Sequence, residues 1–294
     1  MLALATTLAG CSDRAFVVSP SLDPRVSRIL AVYPSGLLRG RTCYVYLPAG
    51  YPEPGRRYPV LYVQDGEAAF DAGPGSPESF GFDRTADALT SAGAIEPMII
   101  VAIPSGGSRD RDYVPVFEFI EPDSTDNFRV IADSTRGDRY VRAIRDELKP
   151  IVDRTFASDP SPASTGIAGF SLGGLISVYA AYTYPGTFGI AGGFSGTYLG
   201  ASPYFLPFVE LTGRPPGGSL FIDVGLIDDN TSAARRLNSI ALEQGFQPGV
   251  DYEYRALAEE THSIPSVRRR IPAFLQFFSR RAALPAATAQ LIPR

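Results

Sequence analysis

The chain has 294 residues, 45% hydrophobic and 20% charged, with a net charge of −4, which fits a globular protein with room for a large core. No lysine/arginine block exceeds Arg268-Arg269-Arg270, so no phosphate-binding stripe is present and nucleic acid is excluded as an expected partner. Two cysteines, Cys11 and Cys43, and one histidine, His262, are too few for a four-ligand Cys/His zinc site or a disulfide framework, and no metal or organic cofactor is expected.

The first ten residues are apolar and small and run into Leu8-Ala9-Gly10-Cys11, the pattern of a bacterial lipoprotein signal with Cys11 as the lipidated residue. The hydrophobic part is short and lacks a basic start, as in a truncated export signal. On this reading residues 1–24 are signal and tether, Cys11 carries a lipid anchor, and the protein works in the cell envelope or is secreted. Residues 25–34 and 41–47 alternate apolar and polar side chains and predict antiparallel strands at a sheet edge. Residues 58–63 and 97–103 read as strands buried on both faces, separated by helical spacing over 83–93. A strand–helix–strand unit of this kind predicts a parallel sheet. Residues 108–137 are irregular, charged and aromatic, and so mark a functional loop. Tyr140, Ile144, Leu148 and Val152 predict a helix over 138–156, with a kink or a new start at Pro150.

The next stretch organises the rest. A strand ending at Ala168 and a helix over 172–184 flank Gly169-Phe170-Ser171-Leu172-Gly173, a G-x-S-x-G match on a strand-to-helix turn. Such a turn lifts a serine hydroxyl clear of the sheet beside backbone N–H groups at a helix start. Then come a strand over 187–195, a loop over 196–218, a strand over 219–224, a helix over 229–244, a strand over 252–257 and an amphipathic helix over 266–281. The expected architecture is α/β: an α/β-hydrolase with a mostly parallel central sheet and helices on both faces. One catalytic domain covers residues 25–282, followed by a loosely held tail over 283–294.

A serine needs a base, and the base needs an orienting acid. His262 is the one histidine available, placed after the last strand. The acid is expected at a strand end between the two. Asp223 falls inside a strand and reads as structural, which leaves Asp228, with Asp229 next, although Asp229 could instead cap the following helix. Oxyanion donors are expected from the Leu172 N–H and from the Gln64-Asp65-Gly66-Glu67 turn, at Gly66 or Glu67.

The sequence resembles the esterase D and enterochelin-esterase-like branch of the α/β-hydrolases. The resemblance is carried by Val45-Tyr-Leu-Pro-Ala-Gly-Tyr51, Pro59-Val-Leu-Tyr-Val-Gln-Asp-Gly-Glu67, Ile100-Val-Ala-Ile103 with the 109–115 segment, Glu147-Leu-Lys-Pro150, Gly169-Phe-Ser-Leu-Gly-Gly174, Tyr184-Pro-Gly-Thr-Phe188 and His262. It implies a serine carboxylic-ester hydrolase with Ser171 as nucleophile, His262 as base and the acid in the loop after Gly225, acting on a small-molecule ester. The Asp-Gly-Glu turn and Arg109-Asp-Arg-Asp-Tyr113 look most like the siderophore-esterase side, so Arg109 and Tyr113 are expected at the substrate; Arg109 and Arg111 could instead pair with Asp110 and Asp112. The chain departs from the family at Glu260-Thr261-His262-Ser263 and at Ser195-Gly196-Thr197, both expected to border the acyl pocket. An acyltransferase on the same triad, and a non-catalytic envelope binding protein with this fold, are the competing expectations.

Overall fold

A nine-stranded sheet in the order β1-β2-β3-β5-β4-β6-β7-β8-β9 forms the middle layer of the molecule. The coordinates are a computed structural model, and residues 16–20, 26–31, 36, 38, 41–71, 78–117, 135–200, 203–227 and 230–283 are described. Cys11, the residues around it that read as a signal, and residues 284–294 lie outside the described residues.

The first strands, β1 (Phe16–Pro20), β2 (Val26–Ala31) and β3 (Cys43–Tyr46), run antiparallel at one edge, and β3 pairs antiparallel with β5 (Ile99–Ile103). Residues 16–20, expected in a tether, thus form an edge strand. From β5 onward the sheet is parallel through β4 (Val60–Gln64), β6 (Thr165–Phe170), β7 (Ile190–Phe194), β8 (Ser219–Ile227) and β9 (Tyr252–Thr261). β4 and β5 are continuous apolar runs because both faces are covered.

Side chains alternate between two cores. Val60, Tyr62, Ile99 and Val101 face one core, shared with Tyr140, Ile144, Leu148 and Val152. Leu61, Val63, Ile100 and Ala102 face the other, shared with Ile271, Phe274, Leu275 and Phe278. The first face carries α3 (Gly137–Ala143), a single π turn over Ile144–Leu148, α4 (Lys149–Thr155), α5 (Leu172–Thr183) and α7 (Thr231–Glu243). The π turn sits immediately before Pro150, where a missing N–H breaks the regular ladder, so the kink read from the sequence is an insertion in one nearly continuous helix. The second face carries α1 (Phe82–Ser91) and α8 (Ile264–Ala282). A short α2 (Arg109–Asp112) follows β5, and α6 (Phe205–Thr212) occupies what the sequence reads as loop. Its Phe205, Leu206 and Val209 are buried, but Pro207 in its first turn and the glycines on either side mask the helical spacing.

α8 is pressed hard against the sheet. A Cβ on Gly166 would lie 2.5 Å from the Phe278 ring, and one on Gly192 would lie 2.4 Å from the Phe274 ring. Glycines in β6 and β7 therefore make room for the two phenylalanines. Asp223 on β8 is fully buried and accepts a hydrogen bond from Arg270 Nη1 of α8 at 2.8 Å, while Arg270 Nη2 donates to Ser195 Oγ at 3.0 Å. Asp223 is thus the structural carboxylate its position within a strand predicts.

Arg270→Met keeps the bulk but leaves Asp223 without its guanidinium, which should cost about 3–5 kcal/mol in urea unfolding. The Arg270→Met/Asp223→Leu pair should recover most of that loss, and a double variant as unstable as the single one would argue against the ion pair as the cause.

Candidate active site

Ser171 sits between β6 and α5 at φ 59° and ψ −120°, a left-handed conformation that costs an L-residue about 1–3 kcal/mol. The spacing of the motif has a steric cause. A Cβ on Gly169 would fall 2.6 Å from the Gly173 backbone, so strand and helix cross only because that side chain is absent. The turn is held by its own peptide groups: Ser171 N–H donates to the Phe194 carbonyl at 2.9 Å, and the Ser171 carbonyl accepts from Gly174 N–H at 3.0 Å and Thr197 N–H at 3.2 Å.

The Ser171 hydroxyl lies 3.1 Å from His262 Nε2 and 3.0 Å from Thr197 Oγ1. Residues 91 positions apart meet because β9 runs to Thr261, four residues beyond the predicted end, and a register irregularity between Gly225 and Ile227 redirects its last turn. Hydroxyl groups then fix the turn. Thr261 N–H donates to Ser266 Oγ at 3.0 Å, Ser266 Oγ donates to Glu260 Oε2 at 2.6 Å, and Ser263 Oγ caps α8 by accepting from Ser266 N–H. Glu260 also holds Arg269 in a two-point contact at 3.1 and 2.7 Å. The hydrogen bond from Arg269 keeps its carboxyl below the usual glutamate range. The imidazole packs on the Phe170 ring with centroids 4.5 Å apart, and Phe170 in turn meets Phe80 edge-on. Asp228 and Asp229 lie outside the described residues, in the two positions after Ile227, whose register partner is Thr261.

The turn after β4 lies beside the elbow: a Cβ on Gly173 would lie 3.0 Å from Gln64 Cβ and 3.2 Å from Asp65 Oδ2. Gly66 N–H donates to the Ile103 carbonyl at 2.9 Å, so it is not available to a ligand, and of the two predicted donors only Glu67 N–H remains. Gly66 is glycine for a different reason, since a Cβ there would lie 2.6 Å from the Ala102–Ile103 backbone. Neither Glu67 N–H nor Leu172 N–H has a hydrogen-bond partner among the described residues. The Glu67 carboxylate is turned to Ser105, accepting from its N–H at 2.9 Å and from its hydroxyl.

The two residues expected at the substrate sit differently. Tyr113 is fully buried, and its hydroxyl accepts the Asp65 N–H at 3.1 Å; it lies behind the turn and cannot touch a ligand. Arg109 pairs with neither Asp110 nor Asp112 but grips Asp65 through Nε at 2.7 Å and Nη2 at 3.0 Å, and Nη2 also donates to the Phe170 carbonyl at 3.0 Å. Burial pushes the Asp65 carboxyl above the usual aspartate range, against the pull of Arg109. Behind them Asp112 is held between Arg41 and Arg136. Sequence reading sets Thr197 at the border of the acyl pocket but not in contact with the nucleophile, and it missed the Arg109–Asp65 pair, which joins residues 44 positions apart. The one sequence signal for the pair is an aspartate at a turn between two buried runs, opposite an arginine-rich segment.

Among the described residues no group of three or more His, Cys, Asp or Glu side chains could hold a metal ion.

The elbow, the serine–histidine contact and the surrounding sheet define an α/β-hydrolase fold. Residues 35–265 match the family described as "Putative esterase", and the chain belongs to that esterase family. It is 30% identical over 157 residues to the uncharacterized protein YbbA of Bacillus subtilis, a match covering 52% of this chain and 56% of YbbA. It is 31% identical over 154 residues to esterase Rv1288 of Mycobacterium tuberculosis, covering 52% of this chain and 28% of that protein. The chain thus spans about half or less of the length of these relatives. Among solved structures, the enterobactin esterase of Shigella flexneri determined in the presence of enterobactin superposes with a TM-score of 0.64 at 16% identity, over 92% of this chain and 60% of the other. A ferulic acid esterase superposes with a TM-score of 0.63 at 18% identity, over 87% and 96% of the two chains.

Two predictions follow from the geometry of the elbow and the histidine turn. Glycine is ordinarily less stabilising than alanine, but at the positive φ of residue 171 the order should invert. Ser171→Gly is expected to be about 1 kcal/mol more stable than Ser171→Ala in denaturant titrations; equal stabilities would mean the elbow is relaxed. For Glu260, the lowered carboxyl makes its contribution present above its unfolded pKa of about 4.3 and lost as pH falls through the folded value. The Tm gap between the wild type and Glu260→Gln should be constant from about pH 8 to pH 5 and close below about pH 4.

Proposed function

We propose that this protein is a serine carboxylic-ester hydrolase, and the observation that carries the reading is the Ser171 hydroxyl on a strained elbow, 3.1 Å from His262 Nε2. In this reading Ser171 Oγ attacks the ester carbonyl as His262 takes its proton. The N–H groups of Leu172 and Glu67 stabilise the oxyanion that forms. Collapse of the tetrahedral intermediate expels the alcohol, protonated by His262, and leaves an acyl group on Ser171. Water then attacks that acyl group, giving its proton to His262, which returns it to Ser171 Oγ as the bond to the serine breaks and the carboxylic acid departs.

We assign the orienting acid to Asp228, with Asp229 as the second candidate. Support comes from the chain order: Asp228 directly follows Ile227, and Ile227 is in register with Thr261, the residue before His262. Asp223 is unsuited, being held by Arg270. The proposed substrates are siderophore or aryl esters. That choice is favoured by the likeness to an enterobactin esterase and a ferulic acid esterase, and by the aromatic Phe80–Phe170–His262 stack next to the nucleophile.

A fluorophosphonate probe should label the wild-type protein and leave Ser171→Ala unlabelled. Hydrolysis of short-chain nitrophenyl esters, feruloyl esters and a catecholate siderophore should fall by about 10⁴-fold or more in the same variant. Labelling of Ser171→Ala at the wild-type rate would place the nucleophile elsewhere.

A further inference from the structure

The two N–H groups that face the proposed oxyanion belong to separate parts of the chain. Glu67 is on the turn after β4, and Leu172 begins α5. Their separation is a long-range quantity, and it must be right to a fraction of an ångström for both to meet one oxygen. No strand pairing fixes it at this end: the β4–β6 register ends at Val63 with Ala168, short of both donors.

The geometry points to a clasp of Arg109 and Asp65 that sets this separation, making both of them positioning residues for the oxyanion hole. Arg109 holds Asp65, two residues before Glu67, by a two-point contact, and with the same Nη2 it holds the carbonyl of Phe170, two residues before Leu172. One planar guanidinium thus ties both halves of the hole at equal remove from their donors. The plane is itself fixed, with Arg109 Cζ 5.3 Å from the centroid of the Tyr113 ring and the Tyr113 hydroxyl receiving the Asp65 N–H. Tyr113 packs on Tyr140, whose hydroxyl donates to Gln64 at 2.6 Å, so the residue before Asp65 is held too.

The clasp has an electrostatic side. A carboxylate two residues from an oxyanion donor opposes the charge that develops there. The Asp65 side chain is 11% exposed, so water screens it poorly, and Arg109 supplies the balancing charge. The role differs from holding an acidic substrate, since three of the Arg109 donor directions are taken by protein oxygens.

The clasp matters only if Ser171 is the nucleophile proposed above, so the test begins with fluorophosphonate labelling of the wild type; an unlabelled wild type would overturn both readings together. With labelling established, Arg109→Gln should lower kcat on a nitrophenyl ester by about 10²-fold, with KM changed less than about threefold. An arylboronic acid, which forms a tetrahedral adduct on the serine, should lose affinity by a similar factor. Asp65→Asn should be milder. The Arg109→Gln/Asp65→Asn pair should regain about tenfold or more over Arg109→Gln, because a neutral amide pair leaves no unbalanced charge at position 65. Circular dichroism and Tm of each variant separate this from unfolding, and Arg109→Lys provides a second, milder variant if Arg109→Gln does not fold. The clasp is refuted if a folded Arg109 variant keeps kcat and boronate affinity within threefold, or if the whole loss falls on KM, which would return Arg109 to substrate binding.

Discussion

Everything at this site depends on how closely β6 can pass α5. The two cross at Gly169 and Gly173 with no side chain between them. The residue at the crossing is left in a backbone conformation that an L-amino acid resists. The strain persists because the peptide groups of Ser171 are gripped by β7 and by the first turn of α5. A looser crossing would relax the serine and let its hydroxyl turn away from His262. The G-x-S-x-G spacing is therefore a statement about the distance between two backbones before it is a statement about chemistry.

Around that crossing, charged groups serve as ties more than as ligands. Arg270 joins α8 to Asp223 in the middle of β8 and to Ser195 just past β7. Arg109 joins the β4 turn to the elbow, and Asp112 behind it is held between Arg41 and Arg136. Arginine suits this use, because a planar fork can satisfy two or three oxygens in fixed directions. Sheet, elbow and histidine turn are thereby tied together at the end of the sheet where the β4–β6 pairing has stopped.

Much of this was legible in the sequence, for physical reasons. The buried parallel strands show as continuous apolar runs, the helices as their period, and the elbow as glycines flanking a serine. The lone histidine leaves its role with one candidate. The sequence did not show that β9 continues to Thr261, because Ala258 to Glu260 are polar or small and fall in the register irregularity between Leu257 and Thr261. Helix α6 was hidden by its proline and flanking glycines. The resemblance places Arg109 and Tyr113 at the substrate; Tyr113 is fully buried and Arg109 is bound to Asp65, and pairings across 44 or 48 positions leave no periodic trace. Gly66 was one of two expected donors, and only the path of β5 reveals that its N–H is taken by Ile103.

Helix α8 follows every strand in chain order, and it carries both the cap of the histidine turn and the arginine that anchors β8. In a chain emerging from the ribosome, the strands and the elbow are therefore made before the helix that fixes His262 against Ser171. The Ser171–His262 contact thus joins a turn formed early in the chain order to one that only the docking of a single amphipathic segment holds in place.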